Sequence, residues 1–268
     1  MTVLHDHPGA MRFAGGTYIM SKHRGLRYPT FPATVVSLAR MEEMKRIARN
    51  ERYIDIGATA SIASVLQIGS NVVPDVLVEA LGSIGYRPIR NLATLGGNIC
   101  VPEARLTAFP VLLLLDAQVE LRRANRSKWI SLSRFVHPDG TLNLEPDEIC
   151  TRIRIPRAEW NVQVYRSTHS GTTPSQWGLS FCGVADTRKS VLSDFRFAFG
   201  SMGKTFLRTR EIEAELIGRK LPLTDRELEI AMSQLELTIE SITPGPTGIQ
   251  HRSMLRYFSW FLRRLVPE

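Results

Sequence analysis

This chain contains two glycine pairs, in the stretches Ala14-Gly15-Gly16-Thr17 and, about eighty residues later, Thr94-Leu95-Gly96-Gly97-Asn98. Glycine loses more backbone freedom on folding than any other residue, so a doublet flanked by Thr and Asn predicts a turn that another group approaches closely. Successive N–H groups in such a turn form a concavity of positive partial charge that suits phosphate. The two pairs therefore predict a cofactor site that holds a pyrophosphate.

Short helices and strands are predicted to alternate around these pairs. Hydrophobic periodicity distinguishes the two types, since helices repeat every 3.6 residues and strands every two. Helices are predicted at 41–49, 61–68, 75–82 and, after Pro110, 111–115, and strands at 34–38, 53–57, 119–121, 129–135 and 149–155. Pro138-Asp139-Gly140 is predicted to be a turn.

The pattern changes beyond the polar residues 157–161. Segments 162–167, 178–186 and 193–201 predict an antiparallel sheet, and the last carries three Phe side chains on one face. Two helices follow. A capping box of Thr224 and Glu227 begins the first, and the second has an apolar stripe that includes Leu255, Phe258, Phe261, Leu262 and Leu265.

Composition limits the class of protein. With 268 residues, 43% of them hydrophobic, the chain can bury a large core in one or two domains. The longest apolar run, residues 108–115, is much shorter than the roughly 20 residues of a spanning helix, and the start of the chain has no signal-peptide core. We expect a cytoplasmic protein.

Charge and metal-ligand patterns are less informative. The net charge of +8 is spread in short clusters without aromatic interleaving, so a solvated basic surface is favoured over a nucleic-acid binder. The histidines show no i, i+4 pairing with an acid, so no metal site is predicted. The three cysteines are far apart and include no C-x-x-C, so an iron–sulfur centre would have to belong to a partner.

The glycine pairs do not match the commoner nucleotide motifs. The chain has no G-x-G-x-x-G after a strand and no G-x-x-x-x-G-K-[ST], which disfavours a Rossmann domain and a P-loop ATPase. In order and spacing, however, the chain resembles the FAD-binding medium subunits of molybdenum hydroxylases, the family of xanthine dehydrogenase and aerobic carbon monoxide dehydrogenase. The resemblance covers nearly the whole chain. It is carried by residues 14–17, 89–91, 94–99, 115–117, 147–149, 153–156, 165–166, 197–200 and Arg208.

The resemblance implies an α+β fold with two domains. The first, residues 1–157, would be a vanillyl-alcohol-oxidase-type FAD-binding domain with lobes of about 1–57 and 58–157. The second, residues 158–268, would be the C-terminal domain of carbon monoxide dehydrogenase flavoproteins. FAD would lie extended between the two lobes, without a covalent bond.

The resemblance also implies the cofactor contacts. The first loop and the second loop would hold the pyrophosphate and ribityl chain, two residues near 150 would lie close to the flavin or adenine, and an Arg would stand where relatives have a Lys beside the flavin ring. These residues are Ala14, Gly15, Gly16, Thr17, Tyr18, Thr94, Leu95, Gly96, Gly97, Asn98, Ile149, Cys150 and Arg166.

The implied function is electron transfer in a multi-subunit molybdenum hydroxylase, xanthine dehydrogenase-like. Electrons would pass from a large molybdopterin subunit through a small iron–sulfur subunit to FAD on this chain, and on to NAD or another acceptor. The chain departs from the family pattern in having only twelve residues before Phe13, in Tyr18, and in Thr107 where relatives have Asp. These departures motivate an alternative, a degenerate non-catalytic scaffold that no longer binds flavin.

Overall fold

The computed structural model describes residues 2–124, 126–168 and 178–266. The helices in these ranges are α1 (Thr2–Asp6), α2 (Thr17–Lys22), α3 (Ile62–Ile68), α4 (Asp75–Gly82), α5 (Arg87–Leu92), α6 (Leu95–Ile99), α7 (Ala108–Leu114), α8 (Arg210–Leu216), α9 (Asp225–Glu240) and α10 (Gly248–Arg263). The strands are β1 (Met11–Phe13), β2 (Val35–Ser37), β3 (Ile47–Arg49), β4 (Tyr53–Gly57), β5 (Gln118–Arg123), β6 (Arg126–Ser131), β7 (Ile149–Pro156), β8 (Val162–Ser167), β9 (Ser180–Asp186), β10 (Asp194–Met202) and β11 (Thr205–Leu207).

Three sheets organise the chain. Strands β1 and β2 form a small parallel pair. A five-stranded antiparallel sheet has the order β3-β4-β7-β5-β6, and a four-stranded antiparallel sheet has the order β11-β10-β9-β8. The predicted mixed helix and strand fold, with an antiparallel sheet followed by helices in the second half, is confirmed.

The prediction of a helix over 41–49 is wrong. Only residues 42–44 turn, as a 3-10 helix, and Ile47–Arg49 pairs antiparallel with β4. The turn between these strands is held by Asn50, whose Oδ1 accepts from the N–H groups of Arg52 and Tyr53 at 2.9 and 2.8 Å. This local side-chain bond competes with a helix and favours a hairpin.

Three other predicted segments differ from the structure. The predicted strand 129–135 ends as β6 at Ser131, where a 3-10 helix over 132–134 buries Leu132. Both glycine pairs were predicted to be turns, and each instead begins a short helix. Gly16 precedes α2 in a left-handed conformation, with φ of 70°, and Gly96 and Gly97 lie within α6.

The four-stranded sheet is covered on both faces. One face packs on the first half of the chain: Gly200 lies against Pro110 of α7, and Cys182 and Ala198 belong to the first-half core. The other face carries Phe195, Phe197 and Phe199, all fully buried with α9 and α10, which confirms the predicted placement of the three Phe side chains. The boundary predicted after residue 157 falls at the end of β7 and stays a prediction.

No helix in the described part of the chain has the length and apolar character that crossing a membrane requires.

Candidate functional site

A cavity of about 1160 Å³ lies between α2, α6, the loop after β4 and the start of β7. Its volume exceeds the range of about 300–1,000 Å³ typical of sites for drug-sized ligands, so it has room for an extended dinucleotide. Described residues from both glycine pairs line it, although the pairs are about eighty positions apart in the sequence. The fold therefore brings together the two segments that were predicted to hold one ligand.

The first glycine pair packs directly on the segment that leads into the second. A Cβ atom on Gly15 would lie 1.7 Å from the carbonyl oxygen of Leu92, so only glycine fits there. Gly16 has the positive φ that glycine tolerates best, and a Cβ there would lie 2.2 Å from the Phe13 ring. Close approach of two backbones is therefore the physical reason for Gly15, and a left-handed conformation beside the Phe13 ring is the reason for Gly16.

The second glycine pair packs on the loop after β4. A Cβ on Gly96 would lie 2.6 Å from the carbonyl oxygen of Ala58, and the Gly96 N–H donates to that oxygen at 2.8 Å. Helix α6 is therefore pressed against the sheet, and its first turn forms part of the cavity wall.

Thr94 and Asn98 support the cavity by holding helix ends. The Thr94 hydroxyl caps α6 by accepting from the Gly97 N–H at 3.1 Å. The Asn98 Oδ1 accepts from the N–H of Ala108, at the start of α7, at 3.0 Å. Asn98 therefore fixes α7 relative to α6, across ten residues, in addition to lining the cavity.

The cavity wall is electropositive. Its described lining carries four Arg or Lys side chains, Arg12, Lys22, Arg24 and Arg105, against one carboxylate, Glu103. Burial lowers the pKa of Arg12 and of Arg105 below the usual arginine value, yet a guanidinium remains charged at neutral pH. The excess of positive charge complements the two negative charges of a diphosphate.

An ion pair lies in the cavity wall. Lys22 of α2 binds Glu103, which follows α6, and the Lys22 ammonium lies 5.0 Å from the centre of the Tyr18 ring. Burial raises the pKa of the Tyr18 hydroxyl. Glu103 therefore serves as the partner of Lys22.

Three buried polar atoms in the cavity wall have no hydrogen-bond partner within the described chain. They are Nε of Arg12, Oγ1 of Thr59 and Nε of Arg105. Buried polar groups are nearly always paired, because an unpaired one costs about 1–3 kcal/mol. Unpaired atoms gathered in one wall, beside close-packed glycines and positive charge, fit a polar anionic cofactor such as FAD.

Most of the residues predicted to contact the cofactor line this cavity. They are Ala14, Gly15, Gly16, Thr17, Tyr18, Thr94, Gly96, Gly97, Asn98, Ile149 and Cys150. Leu95 and Arg166 lie outside the described lining. Leu95 is fully buried in the core, and exposed Arg166 lies over the ring of Trp260, 4.9 Å from its centre, while it donates to its own neighbour's carbonyl, Tyr165 O, at 2.7 Å. This stacking gives Arg166 a structural partner on α10.

Several residues of the wall gave no sequence signal. Arg105 is only 1% exposed, and it donates to the carbonyl oxygens of Val101, Ala104 and Gly140. Arginine is mostly exposed in proteins, so nothing in the sequence marks this one as buried. Arg12 could have been identified from the sequence, since it lies just before the first glycine loop.

Among the described residues, no group of three His, Cys, Asp or Glu side chains is placed to hold a metal ion.

Known proteins resemble this chain along nearly its whole length. Aldehyde oxidase 2 of Cavia porcellus is 26% identical over 94% of the chain, which spans only 20% of that protein. The xanthine dehydrogenase FAD-binding subunit of Escherichia coli O157:H7 is 26% identical over 91% of the chain and 82% of the subunit. The chain therefore spans most of a separate subunit in Escherichia coli O157:H7, but only a fifth of the longer protein of Cavia porcellus.

A solved structure supports the fold. Carbon monoxide dehydrogenase from Hydrogenophaga pseudoflava contains a chain that superposes with a TM-score of 0.76 at 20% identity, covering 98% of this chain and 90% of the other. Residues 1–158 match the family described as the FAD binding domain in molybdopterin dehydrogenase. This match covers more than half of the chain and includes every element that lines the cavity except the ends of β8 and β10. The chain belongs to this family of FAD-binding domains.

Proposed function

We propose that this chain is the FAD-binding electron-transfer subunit of a multi-subunit molybdenum hydroxylase. The observation that carries the proposal is the cavity in which the two glycine pairs meet among unpaired buried polar atoms. Bound FAD supplies redox chemistry that the side chains of the protein do not have. The chain itself binds, orients and shields the cofactor.

Specific residues carry out the binding. We assign the diphosphate to the wall formed by the 14–18 loop and the 94–98 segment, where the backbones are closest. Arg12 supplies positive charge beside the first loop, and the Thr59 hydroxyl supplies a hydrogen bond. Ile149 and Cys150 provide an apolar part of the wall that suits one of the ring systems.

The partners in the proposal are a large molybdopterin-binding subunit and a small iron–sulfur subunit. The relative from Escherichia coli O157:H7 is named a xanthine dehydrogenase FAD-binding subunit, which supports a purine substrate for the complex. In the proposal, electrons from the iron–sulfur subunit reach this chain, and NAD or another acceptor receives them.

The alternative of a scaffold without flavin has less support, because a degenerate site has no need for unpaired polar atoms around an open cavity.

The test has two arms. The first reconstitutes the purified chain with FAD, desalts it and measures the visible flavin spectrum; we expect about one FAD per chain and a higher melting temperature in excess FAD. The second co-expresses the chain with a large molybdopterin-binding subunit and a small iron–sulfur subunit, and measures flavin bleaching under anaerobic conditions with xanthine, an aldehyde or carbon monoxide.

The outcomes separate the alternatives. Retained flavin that one substrate bleaches in the complex supports electron transfer and identifies the substrate class. An assembled complex without any flavin would overturn the proposal in favour of the scaffold. Flavin bound but bleached by none of the substrates would leave FAD binding intact and contradict the substrate assignment.

A further inference from the structure

The last two helices carry opposite charges on their outward sides. Each has 16 residues and buries an apolar stripe in the core that covers the four-stranded sheet. Away from that stripe, α9 exposes three acidic side chains and α10 exposes three arginines. The six residues, which together form the α9–α10 face, are Glu229, Glu236 and Glu240 of α9 and Arg252, Arg256 and Arg263 of α10.

The charges of this face are not neutralised within the molecule. In the part of the chain that the structure describes, none of the six side chains forms an ion pair or a hydrogen bond. Charges nearby are paired: Arg219, after α8, binds Glu227 at 3.6 Å. The α9–α10 face is therefore a surface with an acidic half and a basic half, both open to a partner.

The same charges are placed against the stability of their own helices. Glu240 is the last residue of α9, where the negative end of the helix dipole disfavours an acid. Glu236 and Glu240 are like charges at i and i+4, and they repel each other along one side of the helix. Arg252 and Arg256 repeat this arrangement in α10. Residues that break a local rule without a gain in the isolated fold point to a role outside it.

A second copy of the chain satisfies both halves of the face. Consecutive helices joined by a short connection, here residues 241–247, run antiparallel. A two-fold axis that lies between the helices and parallel to them places α9 of each copy on α10 of the other. Each acidic half then meets a basic half. Leu237 and Ile249, which are 68% and 54% exposed, lie near the connection and would be covered.

Other occupants would satisfy only one half. An acidic protein segment would suit α10 but would be repelled by α9, and so would an anionic lipid surface. We infer that the α9–α10 face is the interface of a homodimer, in which the acidic half of each copy binds the basic half of the other.

The size of the face sets the strength of this dimer. Helices about 24 Å long and about 10 Å apart present roughly 500 Å² in each copy. The total of about 1,000 Å² is at the lower limit for a specific interface. The dimer should therefore be weak, form only at high protein concentration, and weaken further in high salt because exposed charges are screened.

The experiment measures the mass of the full chain by sedimentation velocity, without FAD, so its result does not depend on cofactor binding. In low salt, we expect the wild type to change from monomer to dimer as its concentration rises. Two charge-reversed proteins are then compared, Arg252→Glu with Arg256→Glu and Glu236→Arg with Glu240→Arg. Each alone should dimerise more weakly by about tenfold or more, since like charges face each other.

An equimolar mixture of the two reversed proteins is the decisive sample. It should dimerise like the wild type, because each protein supplies the charge that the other has lost. The matched control reverses two exposed arginines outside the face, Arg40→Glu with Arg87→Glu, and should leave dimerisation unchanged.

Three results would overturn the inference. They are a wild type that stays monomeric up to its solubility limit, reversed proteins that dimerise as well as the wild type, and a mixture that stays monomeric although circular dichroism shows both proteins to be folded. A monomeric wild type that binds vesicles of phosphatidylcholine and phosphatidylserine, and loses this binding in Arg252→Glu with Arg256→Glu, would assign the basic half to a membrane surface instead.

The inference stays testable if a reversed protein does not fold. Hydrogen exchange of the wild type then provides the measurement, at low and high protein concentration. Peptides from α9 and α10 should exchange more slowly at the higher concentration. Unchanged exchange in both helices, in a sample that sediments as a dimer, would place the interface elsewhere.

Discussion

Gly15 is the residue at which backbone geometry and cofactor binding are most directly linked. The Cβ of an alanine at this position would lie 1.7 Å from the Leu92 carbonyl oxygen, so the first loop must move away from the segment that leads into α6. Each hydrogen bond to a charged oxygen that is lost costs about 1.5–3 kcal/mol. We expect Gly15→Ala to weaken FAD binding by about tenfold or more, measured by flavin fluorescence titration.

Gly9 provides the control for this substitution. It lies in the same part of the chain, and a Cβ there would meet nothing within 4 Å. Gly9→Ala should therefore bind FAD like the wild type. Equal FAD affinity for Gly15→Ala and Gly9→Ala would contradict the role of the close backbone contact.

Substitution of Thr59 distinguishes an effect on the stability of the protein from an effect on its affinity for the cofactor. It is buried without a hydrogen-bond partner in the described chain, so Thr59→Val removes an unpaired polar atom at nearly constant shape. We expect the free energy of unfolding without FAD to stay level or rise by about 1 kcal/mol, while FAD affinity falls by about fivefold. Urea unfolding and FAD titration measure the two effects. A stability loss with unchanged affinity would show that the hydroxyl serves the fold instead.

Among the helices, α9 and α10 begin with the same motif but with different charge. Thr224 and Glu227 form the capping box of α9, whereas Thr247 and Gln250 form that of α10. The backbone N–H and the hydroxyl of Thr224 donate to the Glu227 carboxylate and lower its pKa. A carboxyl group whose pKa is lower in the folded state stabilises the protein above its unfolded pKa, and this contribution is lost as the pH falls.

This difference gives a prediction for the pH dependence of the two caps. Thr224→Ala and Thr247→Ala should each lower the free energy of unfolding by about 1 kcal/mol at pH 7. The cost of Thr224→Ala should shrink as the pH falls below about 4, because Glu227 becomes protonated. The cost of Thr247→Ala should stay constant, since Gln250 does not titrate. Urea unfolding at pH 7 and pH 3.5 tests this, and parallel changes in both variants would disprove it.

The same local signals explain which elements the sequence predicted well. Helical spacing predicted α3, the Thr224 capping box predicted the start of α9, and alternation predicted β4 and β10. These signals act over three or four neighbouring residues. Residues 41–49 have helical spacing, yet pairing of Ile47–Arg49 with β4 prevails there, because a sheet partner adds interactions that a short exposed helix cannot.

In the whole molecule, the two halves are joined by an ion cluster around Asp116. Its carboxylate binds Arg196 at 2.8 Å and Arg208 and Arg210 at 2.7 Å, and Arg208 also binds Glu213 at 2.9 Å. Asp116 follows α7 in the first half, whereas its partners lie in or beside β10, β11 and α8. Asp116 and Arg208 were both part of the family resemblance, and the fold brings them into contact.

Removing the charge of Asp116 should therefore weaken the connection between the halves. Asp116 has φ of 53°, a conformation that Asn also tolerates, so Asp116→Asn changes the charge but not the backbone. We expect a loss of about 1–2 kcal/mol in the free energy of unfolding, because its carboxylate is about one-third exposed and partly screened. The loss should shrink in high salt. Exposed Asp6 gives the control: Asp6→Asn should have no effect, and equal stabilities of the two variants in low salt would refute the prediction.

The order of residues along the chain was enough to predict most helices and strands and to single out the two glycine pairs, because capping, periodicity and glycine spacing are properties of neighbouring residues. The family and the α+β fold were predicted from a resemblance that runs along nearly the whole chain. The chain order did not reveal that Arg105 is buried or that Arg166 stacks on Trp260. Each of these depends on segments that are tens of residues apart and meet only when the sheets and helices pack. The free energy of that packing is shared over the whole core, so no local pattern encodes which distant side chains become neighbours.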